Sequence, residues 1–264
     1  MCELFAMSSR QAATVNFSLE EFSRHGGLTG PHKDGWGIVF FEDDDVRIIK
    51  DTTPASTSPW VRFLEDHPLR SQIVISHIRK ATLGELSLKN TQPFTRELGG
   101  RQHVFVHNGH IPGIQDPKSF ELGFYRPLGT TDSETAFCVL LGRLQHLWLA
   151  SDWPPTSAAR VEVLRSFARD ITSLGLANFI YSDGELLVAH GHRRRQEDGE
   201  FGPPGLHMLI RECPHSDRSF ETTGLTVAPL DQRVALFASV PLTDEPWRPL
   251  AEGEVLAVKD GETL

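Results

Sequence analysis

The chain has 264 residues, 39% of them hydrophobic, so it can bury a sizeable core as one large domain or two small ones. Its 35 acidic and 26 basic residues give a net charge of -9 and are scattered along the chain. There is no basic footprint for a nucleic-acid backbone or an anionic membrane, and no apolar run near the ~20 residues of a membrane span.

In chain order, the pattern opens with a short strand at Glu3–Met7. Ser18-Leu-Glu-Glu21 then reads as a capping box for a short helix that stops at Gly26-Gly27. Gly37–Phe41 and Val46–Lys50 form a predicted hairpin around the acidic turn Glu42–Asp45, and Gln72–Ile78 and His103–His107 are further β-rich runs. A helix is expected near Pro59–Asp66. Two more helices are marked by apolar stripes, one of Phe137, Leu140, Leu141, Leu144 and Trp148, the other of Val161, Leu164, Ala168 and Ile171, with a turn at Trp153-Pro-Pro155 between them. Strands return at Ala177–Ser182, Glu185–His190, Leu206–Arg211, Val234–Ser239 and Glu254–Lys259, with Asp183-Gly184 as a hairpin turn. His192–Pro204, rich in charge, glycine and proline, reads as a solvated loop. Strands, a helix pair and strands again predict a layered α+β fold, with no alternating run that would imply a parallel sheet. A single domain over residues 1–264 is expected, and the absence of a basic-then-apolar leader predicts a cytoplasmic protein.

The three cysteines, Cys2, Cys138 and Cys213, are too few and too dispersed for a disulfide framework. Cys138 falls on an apolar helix face and reads as core. Twelve histidines raise the question of a metal, yet none forms a helical His-x-x-x-His pair. His103 and His107 have that spacing inside a predicted strand, where it does not stack them as it does on a helix. No metal and no cofactor are expected.

Cys2 stands directly behind Met1, and removal of Met1 leaves a thiol and a free α-amine on one residue. With a reference pKa of about 7.7–8.0, that amine can take the thiol proton directly or through one water, and the thiolate is the reactive form. A nucleophile of this kind acting on the side-chain amide of a free amino acid needs a fixed cation and a fixed anion to hold the carboxylate and ammonium of the substrate. Arg79, in Ser76-His-Ile-Arg-Lys-Ala-Thr-Leu-Gly84, offers a bidentate carboxylate grip, and Thr82 can add a hydroxyl. Asp132, in Gly129-Thr-Thr-Asp-Ser-Glu134, can accept from the ammonium, and reads equally as a helix cap or first-turn acid. In His107-Asn-Gly-His110, the Asn108 amide and the Gly109 N–H can converge on an oxyanion. Trp36, in Asp34-Gly-Trp-Gly-Ile38, reads either as a wall of the site or as a core tryptophan.

Cys2, Asp34-Gly-Trp-Gly-Ile38, His77-Ile-Arg-Lys-Ala-Thr82, Asn90-Thr-Gln-Pro-Phe94, His107-Asn-Gly109 and Thr131-Asp-Ser-Glu134, in this order, resemble the motif set of class II glutamine amidotransferases. Ala238-Ser-Val-Pro-Leu-Thr243, Glu245-Pro-Trp247 and Glu252-Gly-Glu254 resemble the end of the small stand-alone bacterial members. The resemblance implies an N-terminal-nucleophile hydrolase fold, a four-layer α-β-β-α sandwich with two stacked antiparallel sheets. It implies Cys2 as nucleophile with its own amine as base, Asn108 and Gly109 as oxyanion hole, and Arg79 and Asp132 as ligands of the substrate carboxylate and ammonium. The expected reaction is hydrolysis of glutamine through a Cys2 γ-glutamyl thioester to glutamate and ammonia, with a separate ammonia-accepting synthetase as partner. Two alternatives stay open: hydrolysis of a γ-glutamyl amide in a larger biosynthetic intermediate, and a non-catalytic glutamine-binding module. Two departures are visible. Thr82-Leu-Gly84 stands where larger members often have Thr-His-Gly, and the chain is too short for the second, ammonia-using domain those members carry.

Overall fold

The structure, a computed structural model, describes residues 2–15, 22–81, 84–116, 120–150, 153–196, 198–213, 220–222, 225–227 and 232–264. The capping box at Ser18–Glu21 and the site candidate Thr82 lie outside the described residues. The first half contains β1 (Glu3–Ala13), β2 (Trp36–Glu42), β3 (Asp45–Asp51), α1 (Pro59–Asp66), β4 (Ser71–Ile78), β5 (Phe94–Leu98) and β6 (Arg101–His110). Two long helices follow, α2 (Asp132–Ala150) and α3 (Ser157–Thr172), and then β7 (Leu176–Ser182) and β8 (Leu187–Gly191). The remainder is β9 (Arg194–Arg195), β10 (Phe201–Gly202), β11 (His207–Cys213), β12 (Phe220–Thr222), β13 (Leu225–Val227), β14 (Gln232–Ala238), β15 (Arg248–Pro249), β16 (Glu254–Lys259) and β17 (Glu262–Thr263).

Two antiparallel sheets stack face to face. The first has the order β15-β11-β14-β1-β4-β2-β3 and the second β17-β16-β8-β7-β6-β5. Successive side chains of a strand point to opposite faces, so each strand splits its apolar residues between two layers. On β1, Leu4 and Ala6 join Ile73, Ile75, Val104, Val106 and Ile180 in the core between the sheets. Phe5 and Met7 join Trp36, Ile38 and Val74 on the outer face, under Phe22 and the Val61 and Leu64 of α1. The outer face of the second sheet, with Phe105, Phe179 and Tyr181, is covered by both predicted stripes, Phe137 to Trp148 on α2 and Val161 to Ile171 on α3. The result is the expected α-β-β-α layering.

Several boundaries differ from expectation for local reasons. β1 runs on to Ala13, with a register shift between Ser8 and Ala13. β5 was not expected; it is an edge strand with only Phe94 and Leu98 buried, so its alternation is faint. The Asp183-Gly184 turn is longer than a two-residue hairpin, because the Asp183 carboxylate accepts from the amides of Glu185 (3.2 Å) and Leu186 (2.9 Å). The expected loop at His192–Pro204 holds the short ribbon β9–β10. No described helix is long and apolar enough to cross a membrane.

Candidate active site

Strand register brings the candidate residues together. β1 pairs antiparallel with β4, Glu3 opposite Ile78 and Leu4 opposite His77, so Cys2 falls beside the segment that leaves β4. The Lys80 amide donates to the Cys2 Sγ at 3.3 Å. The same segment is held by the turn before β2: the Arg79 amide donates to the Gly35 carbonyl (2.8 Å) and the Ala81 amide to Asp34 Oδ2 (2.8 Å). Gly35 has φ +110°, and a Cβ there would lie 2.8 Å from the Asp51 carbonyl oxygen, so this turn needs glycine. Of the two readings of Trp36, the core tryptophan is the one that its surroundings match: it is 1% exposed and packs in the outer core with Phe5 and Ile38.

The end of β6 faces Cys2 from the second sheet. The Gln92 side chain clamps His107 on both backbone groups, accepting from its amide at 2.6 Å and donating to its carbonyl at 3.1 Å. Asn108 Nδ2 donates to the Cys2 carbonyl. An amide nitrogen carries two protons, so one such bond leaves a second donor on the same atom. The Asn108 carbonyl is held by Asn178 Nδ2 at 3.1 Å from β7, directly opposite in register. A Cβ on Gly109 would stand 1.8 Å from the Leu176 carbonyl oxygen, so only glycine lets the strand pair this closely.

The third side is the start of α2. The Thr131 hydroxyl caps the helix, accepting from the Glu134 amide at 3.2 Å, so Asp132 is the first-turn acid and not the cap. Asp132 Oδ2 accepts from the Ile111 amide (2.8 Å) and faces His110 Nδ1 (3.2 Å), and Oδ1 accepts from the Ser133 amide (2.8 Å). Burial alone would raise its pKa, but the neighbouring His107, the Ile111 and Ser133 amides and His110 more than offset this, and the carboxyl sits below its usual range. His107 is buried, which lowers its pKa; Nε2 faces the Leu176 carbonyl (3.3 Å) and Nδ1 the Ser133 hydroxyl (2.9 Å).

Cys2, Arg79, Gly109 and Asp132 line one cleft, together with Lys80, Ala81, Asn90, Gln92, His107, Thr131 and Ser133. Arg79 is 4% exposed, and its guanidinium donates to the carbonyls of Glu85 (3.2 Å) and Gly84 (3.4 Å). Burial pushes the Cys2 thiol up, against the pull of the Lys80 amide and Arg79, so the thiol needs a base to become a nucleophile. Gln92 and Asn90 were assigned no role from sequence, although both stand in the Asn90–Phe94 motif; a polar pair directly before a proline and an apolar strand is a signal that could have marked them. Among the described residues no group of three or more His, Cys, Asp or Glu is gathered where it could hold a metal.

The family model "Glutamine amidotransferases class-II" matches residues 1–264. YafJ of Escherichia coli (strain K12), which bears the name of a glutamine amidotransferase, is 38% identical over 255 residues, covering 96% of each chain. MJ1515 of Methanocaldococcus jannaschii, named as uncharacterized, is 32% identical over 270 residues, covering 100% of this chain and 71% of its own. A 2.0 Å crystal structure of a predicted glutamine amidotransferase from Pseudomonas aeruginosa PA01 superposes with TM-score 0.70 at 33% identity, covering 100% of this chain and 99% of that one. The glutamine phosphoribosylpyrophosphate amidotransferase of B. subtilis, at TM-score 0.58 and 14% identity, covers 100% of this chain and 48% of its own, and shares the fold of two stacked antiparallel sheets. The chain belongs to the class II glutamine amidotransferases.

Proposed function

We propose that the chain, acting as one amidotransferase domain, hydrolyses the side-chain amide of glutamine with Cys2 as nucleophile after removal of Met1. The observation that carries this reading is the convergence of Cys2, Arg79, Gly109 and Asp132 on one cleft, with Asn108 bonded to the backbone of Cys2 itself. The α-carboxylate of glutamine is held by Arg79 and its ammonium by Asp132, which leaves the side-chain amide pointing at Cys2. The α-amine of Cys2 takes the thiol proton, and Sγ attacks the amide carbon. The oxyanion forms against Asn108 Nδ2 and the Gly109 N–H. The protonated amine then gives its proton to the departing nitrogen; the C–N bond breaks, ammonia leaves, and a γ-glutamyl thioester remains. Water, deprotonated by the same amine, attacks the thioester, releases glutamate and returns the proton to sulfur. The ammonia is free for a separate synthetase.

The test is intact mass before and after treatment with 6-diazo-5-oxo-norleucine, with peptide mapping. The expected result is a chain without Met1 carrying one adduct on Cys2. A Met1-free protein that stays unlabelled and releases no glutamate from glutamine would reject the reading.

A further inference from the structure

Asn90 ends a short 3-10 turn, Leu88–Asn90, and is 1% exposed on the wall of the cleft. Its carboxamide holds two loops at once. Nδ2 donates to the Glu85 carbonyl at 3.1 Å, and Oδ1 accepts from the Thr130 amide at 2.8 Å. The Glu85 carbonyl also receives Arg79 Nη1 at 3.2 Å, so one oxygen links the guanidinium to the Asn90 side chain. Thr130 stands two residues before Asp132, just ahead of the Thr131 cap. The chain of contacts therefore runs from Arg79 through Glu85, Asn90 and Thr130 to the start of α2.

The fit around this carboxamide is close on both sides. A Cβ on Gly129 would lie 2.1 Å from Asn90 Oδ1, and one on Gly84 3.0 Å from Nδ2. The turn is braced from behind by Lys50 Nζ, which donates to the carbonyls of Leu88 (3.1 Å) and Thr91 (3.0 Å). Asparagine suits the position because it is both donor and acceptor; a carboxylate would face the Glu85 carbonyl with no proton between them.

We propose that Asn90 is a positioning residue that sets the separation of the two charged grips, Arg79 and Asp132, and thereby makes the cleft selective for ligands with a carboxylate and an ammonium on one carbon. This inference rests on the amidotransferase reading. A rigid zwitterion senses the separation of the two grips, whereas a ligand with only one of the charges engages one grip and does not. Loss of the Asn90 carboxamide therefore penalises the first kind of ligand selectively. A plain loop staple would weaken every ligand alike.

The experiment measures, on the 264-residue chain by calorimetry, the dissociation constants of glutamate, of glutarate, which lacks the ammonium, and of 4-aminobutanamide, which keeps the ammonium but has no carboxylate. The wild type is expected to bind glutamate most tightly. Asn90→Ala should weaken glutamate by roughly 10-fold or more, the usual scale for buried hydrogen bonds, and change the other two by about 2-fold at most. Gly129→Ala presses on Asn90 from outside and should give the same pattern, which keeps the test decisive if Asn90→Ala fails to fold. Equal weakening of all three ligands, no weakening of glutamate, or a wild type that does not prefer glutamate overturns the inference. Labelling of wild-type Cys2 by 6-diazo-5-oxo-norleucine separates these failures from failure of the amidotransferase reading, because a wild type that is never labelled sinks both.

Discussion

The two ends of the β6–β7 pair handle buried charge in opposite ways. At the end away from Cys2, Arg160 on α3 donates to Asp183 and Glu185, both at 2.7 Å, with its guanidinium 5.9 Å from the Trp148 ring centre. Lys259 (2.7 Å) and Arg101 (3.2 Å) also reach Glu185. Burial works against the Glu185 carboxylate, yet the Lys259 and Arg160 bonds outweigh it and lower its pKa to about 2. Charge there neutralises charge. At the Cys2 end, Arg79 donates to backbone carbonyls, and Asp132 accepts from backbone amides with His110 beside it. Backbone dipoles fix a charge in place without cancelling it, so its field stays available to a ligand. The far end thus carries a network of charged side chains that satisfy one another, whereas at the Cys2 end backbone groups do much of the work of fixing Arg79 and Asp132 in place.

The largest expected effect lies at the Cys2 end. Cys2→Ala should reduce glutamate release from glutamine by ~10⁴-fold or more while leaving the thermal midpoint near that of the wild type; retained turnover would remove chemistry from this end. At the opposite end, Arg160→Met leaves Asp183 buried without its cation and should cost about 3–5 kcal/mol in urea denaturation. Activity per folded molecule should not change. A parallel loss of turnover in the folded fraction would mean that the two ends are not separable. Asn108→Ala should lower kcat for glutamine by ~10²–10³-fold, with a smaller change in KM, as expected of a donor used mainly in the transition state.

The pH dependence of stability should come from the buried rings. Burial lowers the pKa of His103 and of His190 from 6.5 to about 4. His103 Nδ1 faces the Tyr181 hydroxyl at 2.7 Å and its Nε2 the Leu98 carbonyl, an arrangement that suits the neutral ring. The unfolded chain binds these protons more readily, so stability from both rings is complete above about pH 6.5 and is lost as pH falls from there through about 4. Each ring accounts for at most about 3 kcal/mol. Urea midpoints at pH 7.5 and pH 5 should show the decline, and His103→Gln should flatten it; a midpoint that rises on acidification would contradict the assignment. The smallest effect is expected from Thr131→Ala, which removes the α2 cap at about 1 kcal/mol, read as a lower thermal midpoint with Cys2 still reactive.

Much of this was legible in the residues. α1 matches its predicted bounds, Pro59–Asp66, because proline at its first position and a short apolar repeat fix both ends, and β16 matches at Glu254–Lys259. Both helix stripes point into the core as their spacing requires. Edge strands were harder: β5 buries too little to show alternation, and β9–β10 is held by a ribbon of backbone bonds inside a stretch whose composition reads as loop. Trp36 is a different kind of case, open in the sequence between a site wall and a core position. Strand parity alone puts Trp36 and Ile38 on one face, but which face meets the second sheet depends on β4 and β1, and the parity falls outward with Phe5.

By itself the sequence determined the alternation that makes two sheets, the stripes that cover one of them, and the ordered residues that could serve a cysteine nucleophile. Tertiary structure alone decided which of those residues meet. Cys2 and Asn108 touch only because β1 lies in one sheet, β6 in the other, and the two inner faces pack together. Asn90 shows the same limit, since its meaning lies in reaching Glu85 and Thr130 together. The physical reason is that local preferences act over a few residues, whereas a site depends on register and on the stacking of faces from distant parts of the chain.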